Sequence, residues 1–220
     1  MATAVLSIPG IRTVADLLAQ LGHIPAERVR WNPLPGTATK EDVVEVEARE
    51  NRLCELVDGV LVEKAMGYRE SLLALALGGY LRRFANPRRL GLVTGEAGMV
   101  ELFPGLVRIP DVAFASWASV PGGRVPENPV PDLVPDLVVE ILSSSNTPQE
   151  MALKRREYFR VGVRLVWMVD PVARTVTVYT APEQSRTLGE TDTLDGAPVL
   201  PGFELPLRDL FAELDSQASA

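Results

Sequence analysis

Pro135-Asp136-Leu137-Val138-Val139-Glu140-Ile141-Leu142 runs directly into Ser143-Ser144-Ser145-Asn146-Thr147-Pro148 and then an amphipathic stretch from Glu150 to Val161. Every residue from Leu137 to Leu142 but one is β-branched or aliphatic, the pattern of a strand buried on both faces at the centre of a sheet. Glu140 is the exception. A carboxylate there is costly unless it is paired, protonated or bound to a cation; the plain alternative is a strand end that turns it to solvent. Thr147-Pro148-Gln149-Glu150 has the form of a capping box with proline at the first helical position, and Gly162 supplies the stop.

Working outward, Val107-Arg108-Ile109-Pro110-Asp111-Val112-Ala113-Phe114 reads as a second apolar strand with one acid inside, and the helix after Thr147 offers Lys154. Two acids on neighbouring strands with a lysine close by suit metal-dependent phosphodiester hydrolysis. Carboxylates hold a hard cation such as Mg²⁺ or Mn²⁺, and a lysine point charge stabilises the charge that develops on phosphorus-bound oxygens. Three Pro-Asp pairs compete for the first acid: Pro110-Asp111, Pro131-Asp132 and Pro135-Asp136. Asp136 shares a strand face with Glu140 but lies about 13 Å away along it, too far for one ion with oxygen ligands at about 2.1 Å. Asp132 sits in a proline-rich loop. Asp111, on a strand about 4.8 Å away, is the partner the geometry favours.

Leu142 follows Glu140 on the same strand face, so the cation must come from elsewhere. Glu150, Lys154 and Tyr158 share one face of the following helix, which nominates Lys154, with Tyr158 beside it. Glu150 and Lys154 are equally spaced for an ordinary surface pair.

The 220 residues suffice for one domain with a sizeable core, and 46% apolar with 23% charged residues is an ordinary globular composition. No apolar run approaches a membrane span and no secretory signal is evident, so a cytoplasmic protein without membrane partners is expected. One cysteine, Cys54, and one histidine, His23, exclude an intrachain disulfide and paired-histidine or cysteine-rich zinc sites, leaving carboxylates as the plentiful ligands. Cys54 reads as core and His23 as loop. The net charge of −7 argues against a protein that coats nucleic acid, though not against a local basic patch.

Residues 1–51 are expected to form an N-terminal extension with short helices at 13–22 and 40–50, residues 52–211 the main domain, and 212–220 a disordered tail. Leu53–Val57 and Val60–Glu63 read as a hairpin around Asp58-Gly59, with Glu55 another acid among apolar residues. Tyr68–Phe84 keeps a 3.6-residue period, and Glu70 in its first turn could simply complement the helix terminus. One or two strands span Gly91–Phe103. Residues 116–135, with five prolines, form a long loop, either a substrate-facing flap or filler. Beyond the helix, Arg164–Val169 and Thr175–Tyr179 read as strands, 186–205 as a weak hairpin, and Leu207–Phe211 as a short helix.

Five of these segments, in this order, resemble the Uma-two family of small bacterial endonucleases within the PD-(D/E)XK superfamily. They are Glu55-Leu56-Val57-Asp58-Gly59, the Asp111 run, Pro135 to Ser143, Lys154-Arg155-Arg156-Glu157-Tyr158 and Val166-Trp167-Met168-Val169-Asp170-Pro171. The resemblance implies an α/β (α+β) restriction-endonuclease-like core, a central mixed sheet flanked by helices, and Mg²⁺-dependent cleavage of DNA. By it, Asp111 and Glu140 match the metal-binding acids and Lys154 the lysine moved from strand to helix, with Glu70 or, as its rival, Glu55 completing the site. The family often has histidine where this chain has Arg69-Glu70, and Ser-Pro-Ser where it has Ser143-Ser144-Ser145. Arg155, Arg156 and Arg160, with Arg82, Arg83, Arg88 and Arg89, are candidates for DNA-backbone contacts or plain solvated faces. A homodimer is an open expectation, as is a nuclease fold kept as a binding module without turnover.

Overall fold

A computed structural model of the chain describes residues 10–65 and 67–215. Of the tail expected to be disordered at 212–220, Ala212–Leu214 instead form a 3₁₀ turn directly after the short helix at 207–211, and residues 216–220 lie outside the described residues. Strand β7 (Leu137–Ile141) is buried along its whole length. It lies inside a six-stranded mixed sheet of order β10-β9-β8-β7-β6-β3. The other members are β3 (Gly91–Thr94), β6 (Val112–Ser116), β8 (Leu165–Asp170), β9 (Thr175–Ala181) and β10 (Gln184–Gly189). β7 and β8 are parallel and joined through helix α4 (Pro148–Val161), while the other pairs are antiparallel. Thr147 caps α4 as its sequence predicts, accepting from the Glu150 N–H, and Gly162 ends it in the left-handed conformation.

A four-stranded antiparallel sheet of order β2-β1-β5-β4 packs beside the first: β1 (Cys54–Val57), β2 (Val60–Glu63), β4 (Val100–Phe103) and β5 (Leu106–Arg108). The single strand expected across Val107–Phe114 is therefore two. The chain leaves the small sheet at Arg108, crosses at Ile109-Pro110-Asp111 and enters the large one at Val112, and Pro110 cannot donate to a ladder where the run breaks. The expected hairpin at 186–205 is likewise divided. β10 pairs with β9, and β11 (Thr193–Gly196) pairs with β12 (Leu200–Pro206) as a separate ribbon.

Strand alternation sorts the core into layers. Leu137, Val139, Leu165 and Trp167 pack against α3 (Tyr68–Ala85), α5 (Leu207–Phe211) and the β11-β12 ribbon. Val138, Val166 and Met168 face the opposite way, into a layer shared with Val57, Val60, Val62 and Tyr158. Leu17 and Leu21, from α1 (Val14–Gln20) and its C-cap, and the following Ile24 and Val29 also belong to this layer. Helix α2 (Lys40–Glu50) covers the outer face of the small sheet through Val43 and Val46 against Cys54 and Leu56. The expected N-terminal extension thus contributes both to the layer between the sheets and to the outer face of the small sheet. Gly22 approaches α4 so closely that a Cβ would sit 2.5 Å from the Glu150 Cα, and its φ of +81° favours glycine independently. Among the described residues no helix is long and apolar enough to cross a membrane.

Candidate active site

The two-residue period of a strand fixes which acids meet. In β1, Cys54 and Leu56 face α2, so Glu55 and Val57 face the layer between the sheets. In β7, Glu140 shares the Val138 face and points into the same layer from the other side. Lys154 and Tyr158 enter it from α4, one turn apart. Lys154 Nζ lies 2.9 Å from Glu55 Oε1 and 3.4 Å from both carboxylate oxygens of Glu140. The Tyr158 hydroxyl donates to Glu140 Oε1 at 2.5 Å. Arg108, inward on β5, donates to Glu55 Oε2 at 2.7 Å and to Glu157 at 2.5 Å, and the Ile109 N–H donates to Glu55 at 3.2 Å. Glu55, Glu140 and Lys154 are 1%, 4% and 3% exposed.

These neighbours drive the two glutamates apart. Burial raises both. For Glu55 the adjacent Lys154 and Arg108 outweigh it and hold the carboxyl far below the usual range. For Glu140 burial prevails over Lys154, and the negative charges of Asp111 and Glu55 add to it, so the group is pushed up to about 7. Burial alone would lower Lys154, but Glu140 and Glu55 hold it firmly protonated. Burial, followed by the nearby glutamates, keeps Tyr158 a phenol. A buried donor and a buried acceptor therefore face each other where Tyr158 meets Glu140.

Asp111 sits on the crossover between the sheets. Its N–H donates to the Val139 carbonyl at 3.1 Å, and its Oδ2 accepts from the Ile141 N–H at 2.6 Å, which places the carboxylate beside the Glu140 end of β7. Lys64, just beyond β2, lies 2.9 Å from Asp111 Oδ1 and donates to the Glu96 carbonyl at 3.0 Å. Lys64 was missed because Glu63-Lys64 reads as the solvated end of a hairpin. The signal was its place two residues after Val62, continuing the inward Val60-Val62 face. Asp111 also lines a cavity of ≈ 390 Å³ with Glu96 and Ser71, which hydrogen-bond each other at 3.0 Å.

Asp111 and Glu140 are hard oxygen donors on adjacent pieces of backbone, with Asp111 at the wall of a cavity. That donor set fits a divalent cation such as Mg²⁺, which takes one or two carboxylates and completes its shell with water or phosphate oxygens. Among the described residues no three carboxylate, imidazole or thiol groups converge into a site made of protein ligands alone. Lys64 and Lys154 supply the positive charge beside the two acids.

The remaining candidates lie elsewhere. Glu70, half-buried in the first turn of α3, makes no hydrogen bond or ion pair with the cluster among the described residues, whereas Glu55 is inside it. Glu150 pairs with the buried Arg28 at 2.8 Å instead of forming a surface pair with Lys154. Asp136 anchors the start of the 116–135 loop, accepting from the Ser116 N–H at 2.7 Å and the Ser119 hydroxyl at 2.8 Å while pairing with Arg164. Arg88 lies over the Phe84 ring, Arg155 over Tyr179 and Arg160 over Phe103. Arg82, Arg83, Arg89 and Arg156 are exposed and make no side-chain hydrogen bond or ion pair among the described residues.

Comparison with known proteins is consistent with this architecture. A solved structure described as "a putative nuclease belonging to DUF820 from Anabaena variabilis" superposes with a TM-score of 0.66 at 20% identity. The match covers 74% of this chain and 92% of that one, and it establishes a shared fold. No curated protein matches the sequence. The family model described as "Uma2: Putative restriction endonuclease" matches residues 41–208, from α2 to the start of α5, and the chain belongs to the Uma2 family.

Proposed function

We propose that the protein is an endonuclease that hydrolyses DNA phosphodiester bonds with Mg²⁺ or Mn²⁺ held by Asp111 and Glu140. The observation that carries this reading is the convergence of Asp111, Glu140, Lys154 and Tyr158 at the crossover of the two sheets. When bound, the cation supplies Lewis-acid polarisation of a phosphate oxygen and a lowered pKa for water. The chain's own groups do the rest. Lys154 holds a fixed positive charge for the oxygens of the transition state. Glu55, locked by Arg108 and the Ile109 N–H, positions that ammonium without touching substrate. Tyr158 orients the Glu140 carboxyl, and the Ile141 N–H orients Asp111.

Calorimetric titration of Mg²⁺ and Mn²⁺ into the protein and into Glu140→Gln, with plasmid nicking in parallel, tests the proposal. Binding and nicking that both disappear in the variant are expected, as is a rise in melting temperature with metal in the parent only. Nicking that survives Glu140→Gln would sink the assignment.

A second reading, a nuclease fold retained as a binding module, is favoured by one feature: Lys64 and Lys154 already compensate both acids. It predicts no metal binding with or without DNA, and a Glu140→Gln protein at least as stable as the parent.

A further inference from the structure

Asp111 lines the first of two adjoining depressions that run along α3 and the edge strand β3. The first, of ≈ 390 Å³, lies between the Gly78-Gly79 stretch of α3 and the turn at Gly95-Glu96. The second, of ≈ 430 Å³, is bounded by Asn86, Arg89 and Trp117, and Arg82 and Val93 line both. We propose that together they form the track of an unpaired DNA strand, with Arg82 and Arg89 on its phosphates, a base stacked on Trp117 and the backbone delivered to Asp111. The proposal rests on the nuclease reading and adds the form of substrate that the site accepts.

Three independent features support the track. The first is access. Asp111 and Glu140 are 8% and 4% exposed, so a phosphate reaches them by entering the depression that Asp111 lines. An unpaired strand bends into such a recess more readily than a duplex, whose persistence length is about 50 nm. The second is a stacking platform beside free cations. Trp117 is 37% exposed, yet its backbone is tied on both sides: its N–H donates to the Leu90 carbonyl at 3.2 Å, and Asp136 accepts from Ser116 and Ser119. Arg82 and Arg89 line the depressions and are unpaired among the described residues, a local cationic surface on a chain whose net charge of −7 otherwise disfavours a polyanion.

The third feature is a pair of glycines the fold does not require. Gly91 needs to be glycine, because a Cβ would lie 2.0 Å from the Ala115 carbonyl oxygen across the β3-β6 pair. Gly79 is mid-helix with nothing within 4 Å of the position a Cβ would take, and Gly78 would meet only Val112 at an ordinary 3.9 Å. Both weaken α3 and both bare the wall of the first depression, leaving the space a sugar-phosphate unit would fill.

Fluorescence anisotropy tests the track, using a fluorescein-labelled DNA strand of about 12 nucleotides and the same strand annealed to its complement. Each is titrated in EDTA and again in Ca²⁺, with Mg²⁺-dependent plasmid and single-strand cleavage followed in parallel. The single strand is expected to bind at least about tenfold more tightly than the duplex, which cannot stack a base on Trp117. Trp117→Ala weakens it by roughly five- to a hundredfold, and Arg82→Ala/Arg89→Ala lowers the log–log salt slope by about 1.4. Gly79→Ala raises the melting temperature by about 2–4 °C, which establishes that the fold tolerates a side chain there, and Gly79→Leu then blocks strand binding. Duplex binding as tight as single-strand binding, or strand binding indifferent to Trp117→Ala and Gly79→Leu, overturns the track. Cleavage that persists unchanged in those variants overturns the track and leaves the nuclease standing. Strand binding that depends on them without any cleavage leaves the track standing and overturns the nuclease. Neither binding nor cleavage overturns both.

Discussion

Glu140 holds a proton in the folded chain over a range where the unfolded chain has released it, from the ordinary 4.5 up to about 7. Stability therefore falls as pH rises through that window, by up to about 3 kcal/mol in metal-free buffer. Glu55 works in the opposite sense: its contribution is complete above 4.5 and is lost as pH falls below that value. Urea unfolding at several pH values between about 5 and 8 should give a declining stability for the parent and a nearly flat one for Glu140→Gln. A flat parent curve would contradict the burial ascribed to Glu140. Lys64 supports a second prediction. Its ammonium lies 2.9 Å from the carboxylate assigned to the cation, so the two compete. Lys64→Ala should raise Mn²⁺ affinity by roughly tenfold, about 1.4 kcal/mol, in a calorimetric titration. Unchanged or weaker binding would mean that Asp111 is not where the ion sits.

Elements whose signals are local were legible in the sequence. The Asp58-Gly59 hairpin, the periodic helix before Asn86-Pro87 and the capping box at Thr147 each depend on residues a few positions apart, and each forms where expected. Lys154 was reachable because its helix directly follows β7. What holds Lys154 in place was not: Glu55 lies 99 residues away, and nothing in the residues around either one specifies the pairing. The break at Pro110 was hidden for a related reason, since a continuous apolar run looks the same whether it stays in one sheet or crosses to another. Glu55 is the element-scale test. Replacing it by alanine leaves Lys154 and Arg108 without their shared buried acid, a change that costs about 3–5 kcal/mol. A chain of this size should then melt roughly 10 °C lower. A surface acid would move the transition little, which is the result that would refute the inward placement of β1's alternate face.

For the whole molecule, the boundary drawn before residue 52 has energetic consequences. Leu17, Leu21, Ile24 and Val29 are buried in the inter-sheet layer, and Arg28 closes a buried pair with Glu150. Four such side chains are worth about 6 kcal/mol or more, a large share of the roughly 5–15 kcal/mol that keeps a domain folded. A chain beginning at Arg52 should give no cooperative thermal transition by circular dichroism, and a sharp one would show that the earlier segment is dispensable. The seam itself has a further consequence. Glu55 and Arg108 belong to the small sheet, Glu140 to the large one, and Lys154 touches an acid of each. The residues proposed to cut DNA are therefore also a rivet between two β-layers. Loosening it should be visible calorimetrically as one broadened or divided endotherm in place of a single peak, even in a variant that retains every apolar contact.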